Sequence, residues 1–172
     1  MPVRASVLTK AIADLASGAE MRTYSSAQCG RLASLTMLDA RQYKSPQVCT
    51  LASKRGSSTV NPANCPTWKD PARTMLGQEQ EQEQELKQKQ KQKQWLYAAW
   101  GSAKGKSVGW NIIGQQSLIG QRDRKVGPEQ SLWNDGWVGY SAARSRLTDS
   151  VRKNAVSDLV VLGGDVYEHW VG

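Results

Sequence analysis

The chain has 172 residues, which suits one domain with one sizeable core and leaves too little length for two. Its 23 Lys and Arg against 15 Asp and Glu give a net charge of +8, and 39% hydrophobic residues are too many for a disordered chain. No run of about 18 apolar residues is present, so we expect no membrane span, and residues 1–6 lack the charged-then-apolar layout of a secretory signal.

Two apolar patterns predict regular structure early in the chain. In residues 6–16 the apolar positions recur at helical spacing, which predicts a short amphipathic helix. Residues 31–38 form a compact apolar run, which predicts a buried strand. The end of that strand would present Asp39, Arg41 and Tyr43.

A long segment rich in Ser, Thr, Pro and Asn follows over residues 44–71. Loops of that length inside a compact domain are usually functional or mobile. Two interpretations of its cysteines stay open. Either Cys49 and Cys65 bridge the loop, which would stabilise the fold by roughly 3 kcal/mol, or both are unpaired thiols like the third cysteine, Cys29.

An alternating tract occupies residues 78–94, where four Glu and then four Lys alternate with Gln. Asp70 followed by Pro71 predicts a helix N-terminus shortly before it. Glu, Lys and Gln favour helix, and two Glu–Lys pairs at i,i+4 spacing would each add about 0.2–0.5 kcal/mol. Because the tract has almost no apolar residue, we predict a solvated helical extension, with binding to a charged partner helix as the alternative.

Alternating elements continue to the end of the chain. Residues 110–114 predict an apolar strand that ends in the polar pair 115–116, and residues 140–154 predict an amphipathic helix. Between them, residues 117–138 have no clear period and carry basic and aromatic side chains, as a loop near a binding site would. Residues 159–162 predict a last buried strand.

This order of elements predicts an α/β fold with right-handed crossovers and a mostly parallel sheet. In such sheets the carboxyl ends of the strands share one edge, and ligands bind there. The polar residues predicted at that edge are Asp39, Arg41, Gln115, Gln116, Asp165 and His169.

The strongest local motif is LVVLGGDVYEH at residues 159–169. An apolar strand runs into a Gly-Gly turn and then presents the carboxylate of Asp165, with the imidazole of His169 four residues later, which suits a bound metal. By spacing alone the hint is weak, because an Asp after a strand is more often a turn former or a helix cap.

Longer motifs occur in a consistent order along the chain. They are MPVRASVLT at 1–9, LDARQY at 38–43, DPARTMLG at 70–77, and the segment 110–172 with its WNIIGQQ, WNDGWVGY and LVVLGGDV motifs. In these motifs the chain resembles the C-terminal part of the alkaline phosphatase D (PhoD-like) family of metallophosphoesterases. The resemblance covers nearly all of residues 1–172, apart from 11–17 and the Glu/Gln/Lys tract.

The resemblance implies a function and a fold. It implies part of a calcineurin-like α/β/β/α sandwich that hydrolyses phosphate monoesters or diesters with calcium and iron as cofactors. Such metals polarise phosphoryl oxygens and lower the pKa of bound water, which supplies a hydroxide nucleophile. The resemblance also implies a phosphate ester substrate and a periplasmic or secreted parent protein.

The resemblance assigns candidate metal ligands near the end of the chain. The family motif Gly-Asp-Val-His aligns with residues 164–167, so Asp165 matches a carboxylate near the metals and Tyr167 stands in the position of a histidine ligand. His169 lies two residues later. A phenolate binds ferric iron but replaces imidazole poorly toward softer divalent ions.

The resemblance also assigns candidate substrate-binding residues. Asp39 and Arg41 match an Asp-x-Arg motif, in which the guanidinium either holds a phosphate oxygen or braces the loop through an ion pair. A family Trp-Asp-Gly-Tyr motif is replaced here by Trp137-Val138-Gly139-Tyr140, and Asp135 is the acidic residue that remains nearby.

The remaining metal ligands of the family come from an N-terminal half whose motifs this sequence lacks. We therefore expect the chain alone to hold an incomplete metal site and to expose sheet that the other half would cover. A non-catalytic remnant of the same fold is the second interpretation. A basic nucleic-acid-binding protein is the third and least favoured, because the positive charges are scattered and accompany no recognised motif.

Overall fold

The computed structural model describes residues 23–50, 58–77, 91–103 and 109–164. The helix predicted over residues 6–16 lies outside these ranges. The strands are β1 (Ser25–Cys29), β2 (Ala33–Met37), β3 (Thr59–Val60), β4 (Trp110–Gly114), β5 (Leu132–Trp133) and β6 (Leu159–Leu162), and the α-helices are α1 (Lys91–Ala103) and α2 (Ser141–Lys153). Within the described ranges, no helix is long and apolar enough to cross a membrane.

The main sheet has four strands in the order β1-β2-β4-β6. Strands β2, β4 and β6 are parallel neighbours, and β1 pairs antiparallel with β2. Helix α1 lies between β2 and β4 in the chain, and α2 lies between β4 and β6. The predicted α/β class and mostly parallel sheet are therefore confirmed.

Strand β1 was not predicted from the sequence. Its five residues, SSAQC, are all exposed and show no apolar alternation. A tight turn joins it to β2, with Gly30 at φ +56 and the Leu32 N–H donating to the Cys29 carbonyl at 3.0 Å. The strand is therefore held by its backbone hydrogen bonds to β2 and not by burial of apolar side chains.

Both described helices pack against one face of the main sheet. The core there joins Leu96 of α1 and Leu147 of α2 to Ile113 of β4, each at most 2% exposed. Val161 of β6 packs against the same cluster. The apolar runs that predicted β4, β6 and α2 each contribute residues to this core.

One expectation about residues 70–94 is wrong, that of a helix beginning at Asp70 and Pro71. Asp70 and Pro71 begin a turn, and the Asp70 carboxylate accepts the N–H of Ala72 at 2.9 Å in place of capping a helix. The described part of the Glu/Gln/Lys tract begins at Lys91, the first residue of α1. There Gln92 is buried, with 1% of its surface exposed. The solvated helical extension over residues 78–94 stays a prediction, because residues 78–90 lie outside the described ranges.

A disulfide joins Cys49 to Cys65 and confirms the bridged interpretation of the loop. Cys65 belongs to a second apolar cluster, in which Val48, Trp68, Leu132 and Val138 are the other buried members. The cluster includes Leu132 of β5, and Val60 of β3 packs against it, so it joins this loop to the small sheet formed by β3 and β5. Cys29 is a free, exposed thiol.

Candidate functional site

The carboxyl ends of the parallel strands meet at one edge, as predicted. The N–H of Leu38 donates to the Gly114 carbonyl at 2.9 Å, and the N–H of Gln115 donates to the Leu162 carbonyl at 3.0 Å. Asp39 and Arg41 follow the first of these strands at this edge. The predicted metal-associated residues Asp165, Tyr167 and His169 lie outside the described residues.

The carboxylate of Asp39 shapes the turn that follows β2. One of its oxygens, Oδ1, accepts the N–H of Arg41 at 2.8 Å and that of Gln42 at 2.9 Å. The other oxygen accepts the hydroxyl of Thr23. Burial alone would raise the pKa of Asp39, but these three hydrogen bonds together lower it below the ordinary value. Asp39 thus stays ionised and fixes the backbone of the turn that carries Arg41.

Two glutamine side chains fix the backbone on either side of that turn. Gln92 of α1 accepts the N–H of Asp39 at 2.6 Å and donates to its carbonyl at 2.9 Å. Gln116 accepts the N–H of Ala40 at 2.8 Å and donates to the Leu38 carbonyl at 2.8 Å. Each primary amide pairs with the backbone as a neighbouring strand would, which extends the hydrogen bonding of the sheet past the end of β2.

Asp135 accepts hydrogen bonds from three side chains of the loop after β2, two of which are cationic. Its Oδ2 accepts a hydrogen bond from Arg41 Nη1 at 2.6 Å. Its Oδ1 accepts hydrogen bonds from Gln47 Nε2 at 2.7 Å and from the ammonium of Lys44. The side chain of Asp135 is 8% exposed, against 37% for Arg41. Burial opposes ionisation, but the hydrogen bonds from Lys44, Arg41 and Gln47 lower the pKa of Asp135 below its ordinary value.

This geometry bears on the two roles that the sequence left open for Arg41. The ion pair with Asp135 shows that Arg41 braces two loops, the one after β2 and the one after β5. The partial exposure of the side chain is compatible with a second role as an anion contact.

Residues on both sides of Asp135 hold its loop in place. Asn134 is fully buried; its Oδ1 accepts the N–H of Ser58 at 2.8 Å and its Nδ2 donates to the Val48 carbonyl at 2.8 Å. Tyr140 donates its hydroxyl to the Ser45 carbonyl at 2.6 Å, and burial raises the pKa of Tyr140 to about 12. The loop that carries Lys44 and Gln47 is therefore fixed to the motif that carries Asp135.

The segments that follow β4 and β6 are in close contact at Gln115, Ser117 and Gly163. Gln115 accepts the indole N–H of Trp137 at 2.9 Å and the N–H of Ser117 at 2.9 Å. A Cβ at Gly163 would lie 2.5 Å from the Ser117 carbonyl oxygen and 2.8 Å from Gln115 Nε2. Only glycine fits at this approach, two residues before Asp165.

Sequence reasoning missed Lys44, Gln47 and Gln92 as parts of this edge. Lys44 directly extends the LDARQY motif, and that adjacency is the signal that could have identified it. Gln92 lies in a tract whose composition is typical of solvated helix. Nothing in the sequence distinguishes it from the exposed Gln94 two residues later.

The described residues do not fit a metal ion. Within the four described ranges, no group of three or more His, Cys, Asp and Glu side chains is arranged to hold one. The oxygens of Asp39 already accept hydrogen bonds from three donors. Those of Asp135 face the cations Arg41 and Lys44, whose charge would repel a metal.

Comparison with known proteins gives consistent matches. A family model described as PhoD-like phosphatase matches residues 1–172. The chain is 30% identical over 159 residues to alkaline phosphatase D of Bacillus subtilis (strain 168), which covers 92% of this chain and 23% of that protein. A solved structure of PhoD superposes with a TM-score of 0.67 at 28% identity, covering 97% of this chain and 26% of the other. The chain thus spans about a quarter of the length of these relatives.

Proposed function

This chain belongs to the PhoD-like phosphatase family, and we propose that it supplies part of an active site for metal-dependent hydrolysis of phosphate mono- or diesters. The observation that carries the proposal is Arg41, which the Asp39 turn and the Asp135 ion pair hold at the carboxyl edge of the sheet. Because the chain spans about a quarter of its relatives, we assign it a contribution to catalysis and not the whole of it.

Arg41 would bind a phosphoryl oxygen of the substrate. A guanidinium has five N–H donors in a fixed fork, and its Nη1 donates to Asp135. Charge-assisted hydrogen bonds from arginine suit phosphate in both charge and geometry. Arg41 and Lys44 share the single carboxylate of Asp135, so this group of three keeps an excess positive charge.

Asp39 would act on the substrate through the backbone. Its side chain accepts the N–H groups of Arg41 and Gln42, so its role is to set the position from which Arg41 reaches the substrate. Positioning of this kind lowers the entropic cost of reaching the transition state. We retain Asp39 and Arg41 together as the substrate-binding pair.

The metals would be held outside the described residues. We propose Asp165 as a metal-associated carboxylate with Tyr167 and His169 as its neighbours, and the other ligands as part of the domain that this chain does not span. Calcium and iron would, when bound, polarise the phosphoryl group and supply a hydroxide. The whole domain would then be a calcineurin-like α/β/β/α sandwich, of which the main sheet and its two described helices form one half.

We also propose an exported parent protein. Disulfides persist in the periplasm and outside the cell and are rare in the cytosol. The Cys49–Cys65 bridge fixes the loop that Asn134 holds next to Asp135, so an oxidising compartment would support the geometry of the site.

Binding of inorganic phosphate to the purified chain, measured by isothermal titration calorimetry, tests the role of Arg41. We expect Arg41→Gln to weaken binding at least tenfold, because one charge-assisted contact contributes about 1.5–3 kcal/mol. Arg31→Gln is the matched control, since Arg31 is an exposed arginine in the turn at the opposite end of β2. Equal affinities in the two variants would contradict the assignment.

Turnover tests the reaction itself. Chromogenic phosphate monoesters and diesters would be offered to the chain with calcium and iron, beside an Asp165→Ala variant. Hydrolysis above that variant would support a working site. A folded chain that binds phosphate through Arg41 and hydrolyses neither ester would instead favour the non-catalytic remnant.

A further inference from the structure

A cleft between the segment after β4 and the segment around β5 places positive charge next to apolar surface. The side chains that line it are Leu118, Arg122, Arg124, Trp133 and Val138. These described residues supply two guanidinium groups and no carboxylate. The cleft therefore favours a ligand that is both negatively charged and apolar.

A short hairpin sets the two arginines beside the indole. Its backbone bridge joins Asp123 to Leu132 in antiparallel orientation. That register places Arg122 directly opposite Trp133, and opposed side chains of an antiparallel pair share a face. Because side chains alternate between the two faces of an extended segment, Arg124 lies on the same face as Arg122. Both arginines therefore lie on the side of Trp133.

Hydrogen bonds and packing fix the shape of this hairpin. Oδ1 of Asp123 accepts the N–H of Lys125 at 3.0 Å and that of Ser131 at 2.9 Å. Leu132 is 2% exposed and belongs to the second apolar cluster. The other carboxylate of the hairpin, that of Glu129, pairs with Lys125. Both carboxylates thus bind groups of the hairpin that do not line the cleft.

Both walls of the cleft adjoin residues that hold the candidate site. Trp133 precedes Asp135 by two residues, so their Cα atoms are at most about 7 Å apart. Asp135 is the residue that accepts the hydrogen bond from Arg41 Nη1. Leu118 follows Gln116 by two residues, and Gln116 pairs with the backbone of the turn after β2. An organic group in the cleft is therefore within reach of a phosphoryl group at Arg41.

We propose that the cleft binds the organic group of the phosphate ester, and that this group is aromatic and carries a negative charge of its own. The indole of Trp133 stacks on the aromatic ring, and Leu118 and Val138 exclude water from it. Arg124, which is exposed, donates charge-assisted hydrogen bonds to the second anionic group, and Arg122 adds positive charge beside it. This proposal rests on the proposed function, because it assigns a specificity site to the same esters.

Calorimetric titration of the full chain with three probes tests the cleft. The probes are inorganic phosphate, phenyl phosphate and 4-carboxyphenyl phosphate, which add the ring and then the second charge. We expect 4-carboxyphenyl phosphate to bind at least tenfold more tightly than phenyl phosphate, and Arg124→Gln to abolish that preference. Trp133→Leu should abolish the preference for phenyl phosphate over inorganic phosphate. Lys125→Gln is the matched control, because it removes the same charge from the same hairpin at a side chain that does not line the cleft.

Two results would overturn the proposal. One is equal affinity of the wild type for phenyl phosphate and 4-carboxyphenyl phosphate, and the other is an equal loss of preference in Arg124→Gln and Lys125→Gln. Far-UV circular dichroism confirms folding, and the exposed Arg124 is sufficient for the comparison if Trp133→Leu does not fold.

Benzoate separates this proposal from the proposed function, because it has the ring and the charge but no phosphoryl group. Benzoate binding that Arg124→Gln weakens, in a chain whose phosphate binding Arg41→Gln leaves unchanged, would support the cleft and contradict the role of Arg41. Phosphate binding that depends on Arg41, without any gain from the ring or the second charge, would overturn the cleft alone.

Discussion

The side chain of Gln92 makes two hydrogen bonds to the backbone of Asp39, a residue 53 positions earlier in the chain. One bond accepts the N–H of Asp39 and the other donates to its carbonyl, so a single amide satisfies both backbone groups. Through this contact the first turn of α1 is tied to the segment that presents Arg41. The helix thereby supports the candidate site without contributing a charged group to it.

Gln92→Ala would leave the N–H and carbonyl of Asp39 without these partners in a buried environment. We expect a loss of about 1–3 kcal/mol in the free energy of unfolding, because unsatisfied buried backbone groups keep their full desolvation cost. Denaturant unfolding measures this loss. Gln130→Ala is the control, since Gln130 is an exposed loop residue and should change stability by less than about 0.5 kcal/mol. Equal effects in the two variants would contradict a structural role for the Gln92 pairing.

The same residue shows where sequence reasoning fails. Apolar runs predicted β2, β4 and β6, because a short run of apolar residues is the sequence signal of a buried strand. Gln92 and strand β1 were missed, because both are held by hydrogen bonds to the backbone, and a polar residue so held has the same composition as a solvated one. Asp39 and Gln115 follow the ends of β2 and β4 as predicted, whereas Asp165 and His169 lie outside the described residues. The grouping of Lys44 with Asp135 was missed, because that contact joins residues 91 positions apart in the chain.

Asp135→Asn would remove the carboxylate that Arg41 and Lys44 share. At neutral pH we expect a loss of about 2–4 kcal/mol, since the mostly buried Lys44 would lose its counter-ion. Thermal or denaturant unfolding at pH 7 measures it. Asp149→Asn is the control, because the ion pair of Asp149 with Arg152 is exposed and should contribute less than about 1 kcal/mol.

The pH dependence of stability gives a second test of Asp135. The pKa of this carboxyl is lower in the folded protein than its ordinary value, so the unfolded chain binds the proton more readily. Its contribution to stability is complete above the ordinary aspartate pKa of about 3.9 and is lost as the pH falls through the lowered folded pKa. We expect wild-type stability to fall over that acid range and Asp135→Asn to fall less steeply. Parallel curves for the two proteins would contradict the ion-pair geometry.

Removing the Cys49–Cys65 disulfide should destabilise the fold by about 3 kcal/mol, because the unfolded chain regains the freedom of a loop whose ends are 16 residues apart. The double variant Cys49→Ser, Cys65→Ser would be compared with the wild type by denaturant unfolding, with and without reductant. Reductant should abolish the difference. Cys29→Ser is the control and should be neutral, because Cys29 is an exposed free thiol. A reductant-insensitive wild type would argue against a disulfide that contributes to stability.

Gly139→Ala would place a methyl group against the backbone of Asn134, 2.6 Å from its carbonyl carbon and 2.7 Å from its Cα. A rigid backbone cannot give way as a flexible side chain can, so we expect a loss of about 1–3 kcal/mol together with weaker phosphate binding, because Asn134 precedes Asp135. Unfolding and calorimetry measure the two effects. Gly120→Ala is the control, since its methyl would meet only Leu118 at 3.9 Å. If Gly139→Ala matched Gly120→Ala in stability and in phosphate affinity, the loop that carries Asp135 would not be fixed in the way that supports Arg41.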